Sequence, residues 1–124
     1  IRGICCLRPG LAGISESIKV VSIVGRFLEH RRCYYFKDGG NDEIYLGSAD
    51  LMPRNIDRRV EVLFPVENAE IIHYLRDVML TAYQRDNVKA RHLQADGSYV
   101  RQLPDNQAEP FNVQEWLIKS RQRL

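Results

Sequence analysis

The sequence predicts an α/β domain, and three patterns predict it. Residues 18–24 are β-branched or apolar at nearly every position, which reads as a strand. Two strand-like runs, 33–36 and 43–46, flank an Asp38-Gly39-Gly40 hairpin signal. Residues 69–84 carry Ile71, Ile72, Leu75, Val78, Met79 and Ala82 on one helical face. Strands alternating with helices define the class.

In chain order, 4–7 is a short apolar run closed by Arg8-Pro9-Gly10 and reads as a buried strand. Ser15 and Ser17 are loop donors ahead of the 18–24 strand, whose continuous apolar character suits burial on both faces. Gly25 breaks that strand, and 26–30 is expected as a helical turn presenting His30 at the strand's end. After the hairpin, Gly47-Ser48-Ala49-Asp50 turns the chain. Pro53 then suits the first turn of a short helix over 54–58, and a strand over 60–64 is stopped by Pro65. Asn68 is a good N-cap for the long helix. A strand over 87–93, a hairpin over 94–99 and an amphipathic helix over 113–123, with Trp116, Leu117 and Leu124 on its apolar side, complete the reading.

The chain has 124 residues, enough for one core that buries about two-thirds of the unfolded chain's surface. Lys and Arg total 18 against 16 for Asp and Glu, an excess of +2 too slight to argue for nucleic acid. Placement carries more information: Arg26, Arg31, Arg32, Arg54, Arg58 and Arg59 gather around the Gly47–Asp50 motif. Cys5, Cys6 and Cys33 suit neither a disulfide framework nor a zinc spacing, and read as reduced, mostly buried thiols of a cytosolic protein. No apolar run reaches the roughly 20 residues of a spanning helix. The opening without Met, directly on an apolar segment, is read as the start of a C-terminal piece of something longer.

His30 is the candidate acid or base, because imidazole, with an unperturbed pKa of about 6.5, serves either role near neutral pH. Gly47 and Ser48 allow backbone N–H groups, and a hydroxyl, to face an anion. Arg58 and Arg59 can reach a phosphate with paired N–H groups. His73 and His92 lack partners at metal-ligand spacing, so no metal residue is assigned, and neither a Walker loop nor a Gly-x-Gly-x-x-Gly cradle is present. These residue types together point to phosphoryl chemistry.

The strings Cys5-Cys6-Leu7-Arg8-Pro9-Gly10, Ser22-Ile23-Val24-Gly25-Arg26-Phe27-Leu28-Glu29-His30, Tyr45-Leu46-Gly47-Ser48-Ala49-Asp50-Leu51-Met52-Pro53-Arg54-Asn55 and Asp57-Arg58-Arg59-Val60-Glu61-Val62 resemble the C-terminal domain of bacterial polyphosphate kinase. The resemblance extends from Ile1 to about Tyr99. It implies a phospholipase D-like mixed sheet flanked by helices, present here as an incomplete domain fragment over 1–103, with 104–124 a tail bearing the amphipathic helix. The superfamily's His-x-Lys-x4-Asp and Gly-Ser-x-Asn signature is matched at His30 and Gly47–Asp50. It is not matched at Arg32, in the lysine position, or at Lys37, in the aspartate position.

What the resemblance implies is reversible transfer of the terminal phosphate of ATP to inorganic polyphosphate, through a phosphohistidine on an upstream domain of the same chain. His30 would be the catalytic proton carrier and touch nucleotide phosphates. Arg2 and Arg59 would bind ATP and phosphate with Ser48 and Arg58. Mg2+ would ride on the phosphates with its ligands mostly upstream, and this piece alone would be inactive. The full-length enzyme is expected to be a cytoplasmic homo-oligomer, its membrane association left open. Two other readings stay in play: a phospholipase D-like phosphodiesterase, and a non-catalytic module that binds polyphosphate or another anion.

Overall fold

In the computed structural model, residues 5–103 and 108–121 are described. Six strands and four α-helices confirm the α/β class among them. The strands pair antiparallel as two sheets of three, ordered β1-β5-β6 and β2-β3-β4. The chain divides into two compact units, Ile1–Phe27 with Ala82–Leu124, and Leu28–Thr81.

In the first unit, β1 (Val21–Ile23) pairs with β5 (Ala90–Leu93), which pairs with β6 (Tyr99–Arg101). The strand expected over 18–24 is thus shorter and lies at an edge. Val20 and Ser22 are buried while Val21 and Ile23, on the opposite face, are half-buried, so one face is covered more fully than the other. Residues 5–7 form no strand; Cys6 and Leu7 are exposed, and the Arg8 guanidinium donates to the Ala95 carbonyl at 3.0 and 3.2 Å. Ile4 lies outside the described residues, as does Leu124. The β5–β6 hairpin turns at Gly97, whose φ of 88° favours glycine.

Asp86 explains why β5 begins at Ala90 rather than at residue 87. Its Oδ1 accepts from the N–H groups of Val88, Lys89 and Ala90 at 3.0, 2.6 and 3.1 Å, which curls that segment out of a ladder. Its Oδ2 accepts from Val113 N–H at 2.9 Å, the first residue of α4 (Val113–Arg121). The tail residues described therefore pack within this unit.

Residues 26–30 are irregular rather than a helical turn, and the backbone bonding of Phe27 accounts for it. The Gln114 amide accepts from Phe27 N–H at 3.1 Å and donates to its carbonyl at 2.8 Å. Both main-chain groups are thereby satisfied without a helix. A side chain on Gly25 would start 2.2 Å from the Gln114 Oε1, so a larger residue there would displace this clamp.

The second unit holds the hairpin as expected. β2 (Arg32–Phe36) and β3 (Glu43–Gly47) pair with Arg32 opposite Gly47, joined by a 3₁₀ turn over Asp38–Gly40. The short helix is α1 (Pro53–Arg58), with Pro53 in its first turn. The following strand, β4 (Leu63–Pro65), begins later than residue 60 and includes Pro65, which the sequence reading placed as its stop. An edge strand tolerates a residue with no N–H to donate.

Asn68 caps the long helix, its side chain accepting from Ile71 N–H at 3.1 Å. The helix begins as α2 (Ala69–His73), widens to a π-helical stretch over Tyr74–Leu80 that the pattern did not foretell, and resumes as α3 (Thr81–Arg85). Leu75, Met79 and Ala82 are its buried residues, whereas Ile71 and Val78 are exposed.

Cys5 and Cys33 are half-buried and Cys6 is exposed, all with free thiols, which corrects the expectation of mostly buried cysteines. Burial pushes the Cys33 thiol pKa up. No helix among the described residues is long and apolar enough to cross a membrane.

Candidate functional site

The candidate residues that are described lie in the second unit, at the end of the sheet where β3 meets the Gly47–Asp50 turn. The turn is forced close to the segment before β4: a Cβ on Gly47 would stand 2.5 Å from the Val62 carbonyl oxygen. Ser48 N–H donates to that same oxygen at 3.0 Å. Glycine at 47 therefore permits a backbone approach, as the motif suggested.

Arg32 joins the two halves of the motif. Its Nε donates to Asp50 Oδ1 at 2.9 Å and its Nη2 to Oδ2 at 3.1 Å, a two-pronged pair. Its Nη1 donates to the His30 carbonyl at 2.6 Å. Tyr34, two residues along β2, donates its hydroxyl to the Ala49 carbonyl at 2.7 Å. Hydrogen bonding from Arg32 holds the Asp50 carboxyl below its ordinary pKa, with the charges of Arg54 and His30 acting in the same direction and burial opposing. Asp50 in turn raises the guanidinium of Arg32.

A second cluster sits on the other side of the turn. The Ser48 hydroxyl donates to Glu61 and accepts from Val62 N–H at 3.1 Å. The buried Asn55 amide donates to Glu61 Oε1 at 2.7 Å. Hydrogen bonds from Ser48 and Asn55 lower the Glu61 pKa against a desolvation cost, and the charges of Arg59 and Arg32 add to the effect. The hydroxyl proton of Ser48 is thus given to a carboxylate of this chain.

His30 is exposed, and it shares the Asp50 neighbourhood with Arg32 and Arg54. Arg59, extended at the end of α1, is exposed and shares the Glu61 neighbourhood with Ser48 and Arg32. Asp50 thus feels the charges of His30 and Arg32, and Glu61 those of Arg32 and Arg59. Arg58 is exposed in the last turn of α1 and no contact ties it to this cluster. Arg2 lies outside the described residues.

The rest of the basic group separates by what each guanidinium meets. Arg26 belongs to the first unit and stacks over Phe27 at 5.3 Å. Arg31 pairs with Glu29, and its Nη1 also reaches the Met79 sulfur at 3.8 Å. Arg76 is tied to Asp42 and Asp77. Arg54, Arg58 and Arg59 make no ion pair among the described residues. His73 is exposed in α2, and His92, in the first unit, hydrogen-bonds Gln102 at 2.7 Å.

Sequence reasoning registered Arg32 and Asp50 only as motif positions, and did not single out Asn55 or Glu61. Strand alternation placing Arg59 and Glu61 on one side of the chain was the available signal for the latter. Nothing in periodicity could join Arg32 to Asp50 across the hairpin. Among the described residues no group of three or more His, Cys, Asp or Glu side chains could hold a metal ion.

A family model described as Polyphosphate kinase C-terminal domain 2 matches residues 1–114, running past Tyr99 into α4. A polyphosphate kinase of Prosthecochloris aestuarii is 54% identical over 122 residues, covering 96% of this chain and 17% of that protein. One from Pseudomonas aeruginosa is 50% identical over 119 residues, with 96% and 17% covered. The crystal structure of polyphosphate kinase from Porphyromonas gingivalis superposes with a TM-score of 0.86 at 30% identity, covering 98% of this chain and 19% of that one. The chain thus spans less than a fifth of the length of these relatives.

Proposed function

Because the chain belongs to the polyphosphate kinase C-terminal domain family, we propose that it forms part of an enzyme that reversibly transfers the terminal phosphate of ATP to inorganic polyphosphate. In this reading a histidine on an upstream domain takes the phosphoryl group as the bond to ADP breaks. The N–P bond then breaks as a chain-end oxygen of polyphosphate attacks phosphorus. His30 gives a proton to the departing oxygen and takes one from the incoming oxygen. Arg2, Arg58 and Arg59 grip the phosphates of ATP, ADP and polyphosphate. Ser48 joins them only by exchanging Glu61 for a phosphate oxygen.

The observation that carries this reading is the sorting of charge within Leu28–Thr81. Arg31, Arg32 and Arg76 are neutralised by carboxylates of the chain, whereas Arg54, whose charge acts on Asp50 as that of His30 does, and Arg59, whose charge acts on Glu61, make no ion pair among the described residues. Such cations suit the charge that develops on a transferring phosphoryl group. The described residues do not form a metal site by themselves, so no step here runs through Mg2+. In the proposal the ion rides on the phosphates with ligands elsewhere, and the full-length enzyme is a cytoplasmic homo-oligomer.

Arg59→Ala in a full-length polyphosphate kinase carrying this sequence tests the grip. Losing one charge-assisted contact should raise the KM for ATP about tenfold. An unchanged KM for both ATP and polyphosphate would remove Arg59 from the phosphate path.

A further inference from the structure

We propose that Arg32, fixed by Asp50, is the positioning residue that holds His30 at the turn, and that it is not itself a phosphate ligand. This rests on the proposed role of His30. The residues around His30 form no regular structure, so no strand or helix ladder fixes the imidazole's station. One planar guanidinium does so instead, by donating to the His30 carbonyl at 2.6 Å and to both Asp50 oxygens at 2.9 and 3.1 Å.

Three features separate positioning from phosphate binding. The Arg32 side chain is 22% exposed, less than that of Asp50 at 37%, so Arg32 is the more covered partner of the pair. Its charge is already met by a carboxylate, which leaves little attraction for another anion. The carboxylate is also anchored independently, because Tyr34 ties the adjoining Ala49 carbonyl to β2. The three acceptors need donors spread in one plane, which a guanidinium provides. A lysine ammonium offers donors from a single point and cannot bridge them.

The decisive variant is therefore Arg32→Lys, which keeps the charge and removes the fork. In the full-length enzyme we expect kcat to fall about 10- to 100-fold, as for a catalytic group displaced by an ångström or so. The KM for ATP should move less than about twofold, since ground-state binding is untouched. Hydrogen exchange of the peptide spanning 28–34 should quicken, while exchange across β3 stays as in the wild type. Asp50→Ala should reproduce both effects, because it frees the same guanidinium.

Wild-type kcat in Arg32→Lys, or unchanged exchange over 28–34, overturns the proposal. A raised KM with unchanged kcat also overturns it, by making Arg32 a ligand. His30→Ala separates this from the wider reading. If His30→Ala is inactive while Arg32→Lys is normal, only the positioning role falls. If His30→Ala is active while Arg32→Lys still quickens exchange, the proton role falls and the structural tether stands.

Discussion

His30→Ala in the full-length enzyme should lower kcat for ATP-dependent polyphosphate growth by about 10²- to 10⁴-fold, the range that a positioned acid or base contributes. His30 is exposed, its charge acts on Asp50, and its main chain is tethered by Arg32. Removing the ring leaves that tether intact, because Arg32 bonds the His30 carbonyl rather than its side chain. The variant should therefore fold normally and bind ATP with a similar KM. His73→Ala supplies the comparison, since His73 is exposed on α2 and has no place in the cluster. A His30→Ala enzyme with normal turnover would take the residue out of the mechanism.

Asp86→Ala should cost the folded chain about 3–5 kcal/mol, a large share of the roughly 5–15 kcal/mol that holds a domain together. Asp86 is fully buried, and its two oxygens accept four backbone N–H groups, from Val88, Lys89, Ala90 and Val113. Truncation would leave those donors without partners, those of Ala90 and Val113 buried and those of Val88 and Lys89 half-buried, which costs more than the bonds contribute when made. It would also release the first turn of α4 from the strand that precedes β6. Asp86→Asn keeps the oxygen that serves three donors and turns an NH2 toward Val113, so it should lose about half as much. Denaturant unfolding of both variants measures this. A change below about 1 kcal/mol for Asp86→Ala would contradict the assigned role.

Much of this fold is legible wherever the cause is local. The Asp38-Gly39-Gly40 turn, Pro53 in the first turn of α1 and Asn68 as a cap act within a few residues, and the structure has each of them. The misreadings have distant causes. Residues 87–89 look like strand, but the Asp86 carboxyl takes the N–H groups of Val88 and Lys89. Residues 26–30 leave a helix unformed because Gln114, far along the chain, satisfies Phe27. The apolar run 18–24 suggested burial on both faces, yet β1 is an edge strand with one neighbour.

The site divides in the same way. His30, the Gly47–Asp50 turn and the arginines after it stand out because their residue types suit phosphate. The bonds that organise them do not. Arg32 reads as a departure from a lysine pattern until the hairpin register sets it opposite Gly47, within reach of Asp50. Ser48 reads as a free hydroxyl until Glu61 folds back upon it.

The central claim is that His30, Arg54 and Arg59, the two arginines being without an ion pair among the described residues, form one place that accepts a linked-phosphate anion. Titrating the chain, labelled in its three histidine rings, with tripolyphosphate tests it directly by NMR. The account predicts a saturable shift of the His30 ring signals, lost in Arg59→Ala, while His73 and His92 stay in place. A His30 signal that does not move, or three rings that move together, would contradict it.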